Sequence, residues 1–378
     1  MTWYFDIPNM LISILAIIIL CKIKIIPIWI GLILSIYSTI PFLLNDFLFP
    51  AVYMGDQFFY FDTMREVRSL NLFPEIDKNA VVTSWFLSLL PLPFVETVKS
   101  LGFYNRFLFL ILFVWLYNKK FLRGMPLLFL MFYPSLVLYT SLSLRDPLIL
   151  FLMIVATIFL IDKKYLRFFI IIFPLYFIKW QNFFFMLILF GIFWIYKKPK
   201  NYYVIKFLSF VLIIFALSFY IHDMIYYLDL YRSALFQEDG GHIDYYKPIT
   251  GVYSLLINGI IAFPHFLMKP LLWEADNSFQ FIQSIENIFL LFFLIIFTSK
   301  SFIQSKSITL RWLLFFIFVM TIHGIAVYNY GTAVRYKYPF VVMYVVGIAY
   351  ELYRDQGYFF SSWFKKKVIL KKITSFLN

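Results

Sequence analysis

The residues with chemical promise are charged groups set at the ends of apolar runs. Ser-Leu-Ser-Leu-Arg-Asp-Pro (141–147) places Arg145 and Asp146 inside the otherwise apolar stretch Tyr133–Ile161. A charge at mid-membrane depth costs about 2.5 to 3.5 kcal/mol even on a lenient insertion scale, so it is kept out of lipid or given a task. Pro147 suits the first position of a helix, where its missing N–H loses nothing. Asp146 suits the positive end of that helix, with Arg145 as its neighbouring partner. A second basic stretch, Asn-Tyr-Gly-Thr-Ala-Val-Arg-Tyr-Lys-Tyr-Pro (329–339), carries Arg335 and Lys337 behind a flexible Gly331-Thr332 turn. Guanidinium is a planar fork that binds phosphate oxygens in pairs, whereas an ammonium is a compact point charge. Arg145 and Arg335 on one membrane face therefore suggest a site for a phosphate-containing ligand. Lys337 either assists or snorkels at a helix end.

Carboxylates and rings supply the rest. Asp56, in Gly-Asp-Gln-Phe-Phe-Tyr (55–60), reads either as a general base or metal ligand just outside the membrane, or as a helix N-cap. Arg65 and Arg68 share one helix face, positioned to grip phosphate or to pair with Asp62 and Glu66. Lys269 precedes Trp273-Glu274, an aromatic ring beside a carboxylate. That pairing holds a sugar when the ring stacks on its apolar face and the acid takes hydroxyls. It equally describes an interfacial tryptophan with acids at a helix start. Tyr60 and Trp273 are thus the candidate sugar rings, Glu274 a second catalytic carboxylate, and Lys269 a further phosphate cation. His222, His242 and His265 lack ligand-like spacing, and no phosphate loop, zinc or serine-nucleophile pattern occurs. No metal and no cofactor are expected.

These groups need a scaffold, and composition says which. The chain is 378 residues long, 62% hydrophobic and 23% aromatic, with a mean hydropathy of +0.83. Such values lie outside the soluble range and imply an all-α polytopic membrane protein. The net charge of +13 does not point to nucleic acid, because it gathers in short turns: Lys22/Lys24, Lys119/Lys120/Arg123, Lys163/Lys164/Arg167 and Lys197/Lys198/Lys200. That is the positive-inside pattern, which also touches anionic headgroups. The single cysteine, Cys21, permits no intrachain disulfide. Met1–Asn9 lacks a basic leader and Ile7–Cys21 lacks a cleavage site, so the first apolar run is expected to be retained.

The apolar runs are Ile7–Cys21, Ile25–Leu44, Leu101–Tyr117, Met125–Tyr139, Pro147–Ile161, Leu166–Ile178, Phe183–Tyr196, Tyr203–Ile221, Ile285–Thr298, Trp312–Val327 and Tyr338–Tyr350. Ala80–Val95, interrupted by Pro91 and Pro93, decides the orientation. If it is re-entrant or interfacial there are about 11 spans in one membrane domain (1–378), and every basic turn falls in the cytoplasm. If it crosses there are 12, and Lys22/Lys24 face outward against the charge rule. On the first count, segment 45–100 is an outer loop and segment 222–284 a long outer-face (periplasmic) loop. Within the latter, Tyr253–Phe263 before Pro264 reads as an interfacial helix.

Ser-Leu-Ser-Leu-Arg-Asp (141–146), Gly-Asp-x-x-x-Tyr (55–60) and Asn-Tyr-Gly-Thr-Ala-Val-Arg-Tyr (329–336) resemble motifs of bacterial polysaccharide polymerases of the Wzy and EpsG-like type, which make O-antigen and capsule. Asp146 departs from the EpsG-like step, which more often has Gln there. The resemblance implies glycosyl transfer at the outer face of the bacterial inner membrane. Donor and acceptor would be lipid-linked oligosaccharides on undecaprenyl diphosphate, with membrane lipids, a flippase and a chain-length regulator as partners. Two other readings stay open. One is a multi-span glycosyltransferase using a polyprenyl-phosphate sugar, with or without a metal. The other is a lipid-linked oligosaccharide flippase, against which the gathering of charge at one face argues.

Overall fold

The computed structural model describes residues 3–48, 51–71, 74, 77–197, 223, 225–237, 246–275, 277–327 and 330–357. Among them there is no strand; the chain is an all-helical bundle. The expected span Tyr203–Ile221 lies outside the described residues.

α1 (Ile7–Lys22) and α2 (Ile28–Tyr37) form the first hairpin. α3 (Asp56–Arg68) then packs on α4 (Lys78–Ser88), whose start is capped by Asp77 accepting from the Asn79 N–H at 2.8 Å. An α-helix rises about 1.5 Å per residue, so α4 covers only about half of a ~30 Å hydrocarbon layer. The irregular stretch after it is tied back: Asn9 Nδ2 donates to Phe94 O at 2.8 Å and Arg68 Nη1 to Leu92 O at 2.7 Å.

α5 (Ser100–Asn118) is buried on most sides. The expected span Met125–Tyr139 is two helices, α6 (Met125–Phe132) and α7 (Pro134–Tyr139). The chain kinks at Tyr133, whose extended backbone (φ −72°, ψ 109°) is what a following proline enforces. α8 (Asp146–Ile161), α9 (Tyr165–Ile178) and α10 (Trp180–Lys197) follow, then α11 (225–237) and α12 (Val252–Met268). The chain closes with α13 (Ser278–Gln304), α14 (Lys306–Ala326) and α15 (Tyr330–Gln356). α8 and α15 are buried around most of their circumference and form the centre of the bundle.

Among the described residues, four helices are long and apolar enough to cross a membrane: Tyr4–Lys22, Ser100–Asn118, Ser278–Gln304 and Lys306–Ala326. Five shorter apolar helices accompany them, and a membrane protein is the direct reading.

Two local expectations are corrected. α15 starts at Tyr330, not Tyr338, so Gly331-Thr332 and Arg335 belong to a helix and not to a turn. Pro339 sits inside that helix and, lacking an N–H, cannot bond the Arg335 carbonyl one turn back. The segment expected to lie flat as an interfacial helix is α12, and it runs along α14, a helix long and apolar enough to cross a membrane. Gly259 faces Thr321 and Ile325, and Phe263 and Leu267 share a cleft with Leu313 and Phe316. The two helices are therefore antiparallel neighbours over several turns. A Cβ on Gly324 would lie 2.5 Å from the Ala262 carbonyl oxygen, so glycine there is what lets them touch.

Candidate functional site

The chain before Arg145 is not helical, and its backbone must be satisfied inside the bundle. Buried Asn105 of α5 does this, donating Nδ2 to Leu142 O at 2.7 Å and to Leu144 O at 2.8 Å. Gln57, beside Asp56, accepts from the Ser143 N–H at 3.2 Å and exchanges two amide bonds with Asn45 at 2.9 and 3.0 Å. The start of α3 and the start of α8 are thereby locked in register. Tyr139 adds α15, donating to Gly331 O at 3.1 Å and stacking on Tyr338 with centroids 5.2 Å apart.

At the meeting point Arg335 is the hub. Its Nε donates to Asp146 Oδ2 at 2.7 Å and its Nη1 to Asp56 Oδ2 at 2.6 Å. Asp146 is buried, while the Asp56 side chain keeps 57% of its accessible surface. Asp56 is the first residue of α3, Gly55 holds the cap position, and the N-cap alternative therefore fails. Arg145 and Asp146 do not pair with each other, contrary to the expectation for adjacent opposite charges. Arg145 instead donates Nη1 to Ile178 O at 3.0 Å, at the end of α9, and its guanidinium lies 5.9 Å from the Tyr60 ring centre. Lys179, the next residue, places Nζ 3.4 Å from the Tyr336 ring centre. Neither motif nor spacing singles out Lys179; a lone lysine between the apolar runs Leu166–Ile178 and Phe183–Tyr196 is its only signal.

The other candidates separate from this hub. Lys337 neither grips a ligand nor snorkels: it is 1% exposed, with Nζ donating to Asn287 Oδ1 at 2.6 Å and Leu267 O at 3.1 Å. Two residues apart on a helix, Arg335 and Lys337 point about 200° apart around its axis, which is why they diverge. Tyr60 is buried in the core and is no open platform for a sugar. Arg65 is exposed on α3, whereas Arg68 is bound to Leu92 O and the Tyr104 hydroxyl; neither a shared phosphate grip nor an Arg68–Glu66 pair forms.

Lys269 and Glu274 pair with one another at 3.0 Å, and Glu274 also accepts from the Leu271 N–H at 3.1 Å. That N–H, followed by Lys269, holds the Glu274 carboxyl below its ordinary range. Among the described residues no hydrogen bond or ion pair joins Glu274 to Asp56, so the two proposed catalytic carboxylates are not a dyad. Trp273 is 81% exposed beside the loop. Lys269 also lines a cavity of about 250 Å³ with Arg232, Asn258, His265 and Tyr330.

The opposite ends of α8 and α15 carry a second polar cluster. Asp162 takes the Tyr350 hydroxyl at 2.7 Å and attracts Lys119 at 3.8 Å and Lys164 at 3.9 Å, and buried Glu351 holds Arg311 and the Trp312 indole N–H at 3.0 Å. Basic-turn residues thus share one pole, and Asp56, Arg145, Lys179 and Arg335 share the other. No family model, curated protein or solved structure matches the chain.

Proposed function

We propose that the chain is a membrane glycosyltransferase that joins lipid-linked oligosaccharide repeat units on undecaprenyl diphosphate at the outer face of a bacterial inner membrane. In this reading about 11 spans put the N-terminus outside and the basic pole in the cytoplasm. The observation that carries it is the union, at one pole, of fixed cations with the partly exposed carboxylate of Asp56. An acceptor hydroxyl oxygen attacks the anomeric carbon of the donor glycan. The bond from that carbon to the diphosphate oxygen breaks, its electron pair leaves with the diphosphate, and the hydroxyl proton passes to Asp56. Cations fixed in a low-dielectric site offset the charge that grows on the leaving group. Ion pairs gathered chiefly at two poles weigh against a charge-lined transport path through the protein.

The test is polymer length in cells lacking the native copy. Arg145→Ala should abolish long polymer while single repeat units persist, a rate loss of about 10² to 10³. Arg145→Lys should restore part of it, since a point charge replaces only some of a fork's bonds. Normal polymer from Arg145→Ala, at equal membrane abundance, overturns the reading.

A further inference from the structure

The three cations at the outer pole are not equivalent. Arg335 already gives Nε to Asp146 and Nη1 to Asp56. Lys179 is 8% exposed, and among the described residues its ammonium makes no hydrogen bond to protein; its close contact is the Tyr336 ring face. Arg145 uses Nη1 on the carbonyl of Ile178, the residue before Lys179, and its Nε is buried without an acceptor. Two cations with unspent donors are therefore held side by side through one backbone step. Three formal positive charges against the two of Asp56 and Asp146 leave an excess of one. Burial pushes the unaccepted Lys179 amine toward its neutral form, and an anion beside it is what would hold the charged form. Tyr336 supplies a cation–π contact on one side only, which leaves N–H groups directed elsewhere.

We infer that Arg145 and Lys179 are the direct ligands of a phosphate or diphosphate group, and that Arg335 is a positioning residue that holds Asp56 and Asp146. Naming that group as the diphosphate of the glycan donor rests on the function proposed above; the anion site itself does not. Arg145 supplies a fork and Lys179 a point charge on the same oxygens, and the N-terminal ends of α8 and α10 add partial positive charge. Sequence spacing hides this pair, because Arg145 and Lys179 lie on opposite sides of the α8–α9 hairpin.

The full-length protein in phosphatidylcholine nanodiscs is titrated with inorganic pyrophosphate and with geranyl diphosphate by calorimetry. Wild type should bind both, and Lys179→Met should weaken binding about 10- to 100-fold, the scale of losing a hydrogen bond to a charged group. Lys179→Arg should recover most of it. If Lys179→Met does not fold, methylation of wild-type amines followed by mass spectrometry serves instead: pyrophosphate should protect Lys179 and not Lys269. Phosphatidylglycerol nanodiscs separate lipid headgroups from free anions. Competition with pyrophosphate that vanishes in Lys179→Met and returns in Lys179→Arg upholds the site but makes a bilayer phospholipid its ligand.

Unchanged affinity in Lys179→Met, or no protection of Lys179, overturns the inference and leaves the polymerase reading standing. Lys179-dependent binding in a protein whose absence leaves polymer length normal upholds the site and sinks that reading.

Discussion

Arg335 Nε donates to Asp146 Oδ2 at 2.7 Å, joining the starts of two central helices across 189 positions of sequence. The acid is buried, so each partner is costly without the other. Removing one side of a buried pair typically destabilises by about 3 to 5 kcal/mol, whereas replacing both is far milder. Asp146→Asn should therefore unfold more readily in mixed micelles than the double variant Asp146→Asn/Arg335→Gln. Additive losses would show that the two residues act independently.

Lys337 gives a contrasting case on the same helix. Replacing it with Met keeps the volume and strips Asn287 and the Leu267 carbonyl of their shared donor. Each buried group left unsatisfied costs about 1 to 3 kcal/mol. Thermal unfolding should fall accordingly while pyrophosphate affinity stays at the wild-type value. A loss of anion binding at unchanged stability would return Lys337 to the ligand site.

The Lys269–Glu274 loop should respond to acid. The Glu274 carboxyl is more acidic in the folded loop than in an unfolded chain, chiefly because of the Leu271 N–H. The unfolded form thus binds the proton more readily, and the loop's extra stability is present above about pH 4.3. It drains away as pH falls through the lower folded value. The fluorine resonance of 5-fluorotryptophan at Trp273, assigned with Trp273→Phe, should broaden over that window, and Glu274→Gln should remove the transition. A resonance that ignores pH in both proteins would contradict it.

Orientation is open to cysteine labelling in a Cys21→Ser background. Asn71→Cys and Gln237→Cys should react with an impermeant reagent from outside, and Lys164→Cys only after the membrane is opened. Labelling of position 71 from the cytoplasm alone would put α3 and α4 inside and make Ala80–Val95 a crossing.

Much of this architecture can be read from residue order, for definable reasons. The helix at Pro147, the breaks at Pro91 and Pro93 and the basic turns at Lys22/Lys24, Lys119/Lys120 and Lys163/Lys164 are local signals, and the structure keeps them, while Lys198 and Lys200 lie outside the described residues. The convergence of Asp56, Arg145 and Arg335 follows from placing all three on one face. The pairing itself does not follow: adjacency suggests Arg145 for Asp146, and only packing brings Arg335 nearer. Gly331 and Pro339 look like breakers, yet in a helix enclosed by neighbours their cost is met by packing, and α15 begins two turns early. Lys337 is hidden by the same logic, since a lysine near an apolar run looks like a snorkelling residue until its amide partner on α13 is known. The apolar face of Tyr253–Phe263 fits a membrane surface as well as a neighbouring helix, and the small residues Gly259, Ala262 and Gly324 decide for the neighbour.

α8 and α15 are clamped at both ends, by Asp146–Arg335 at one pole and Asp162–Tyr350 at the other. At about 1.5 Å per residue, the helix between Asp146 and Asp162 rises only about 24 Å. A typical hydrocarbon layer is ~30 Å thick, several ångströms more than this strut. Lipid beside the two helices must thin, or the outer charges must lie below the headgroup plane in a water-filled dimple. Either way, the polar end of a long-chain lipid could meet these cations with its tail still embedded, arriving sideways from the bilayer and not from the aqueous phase.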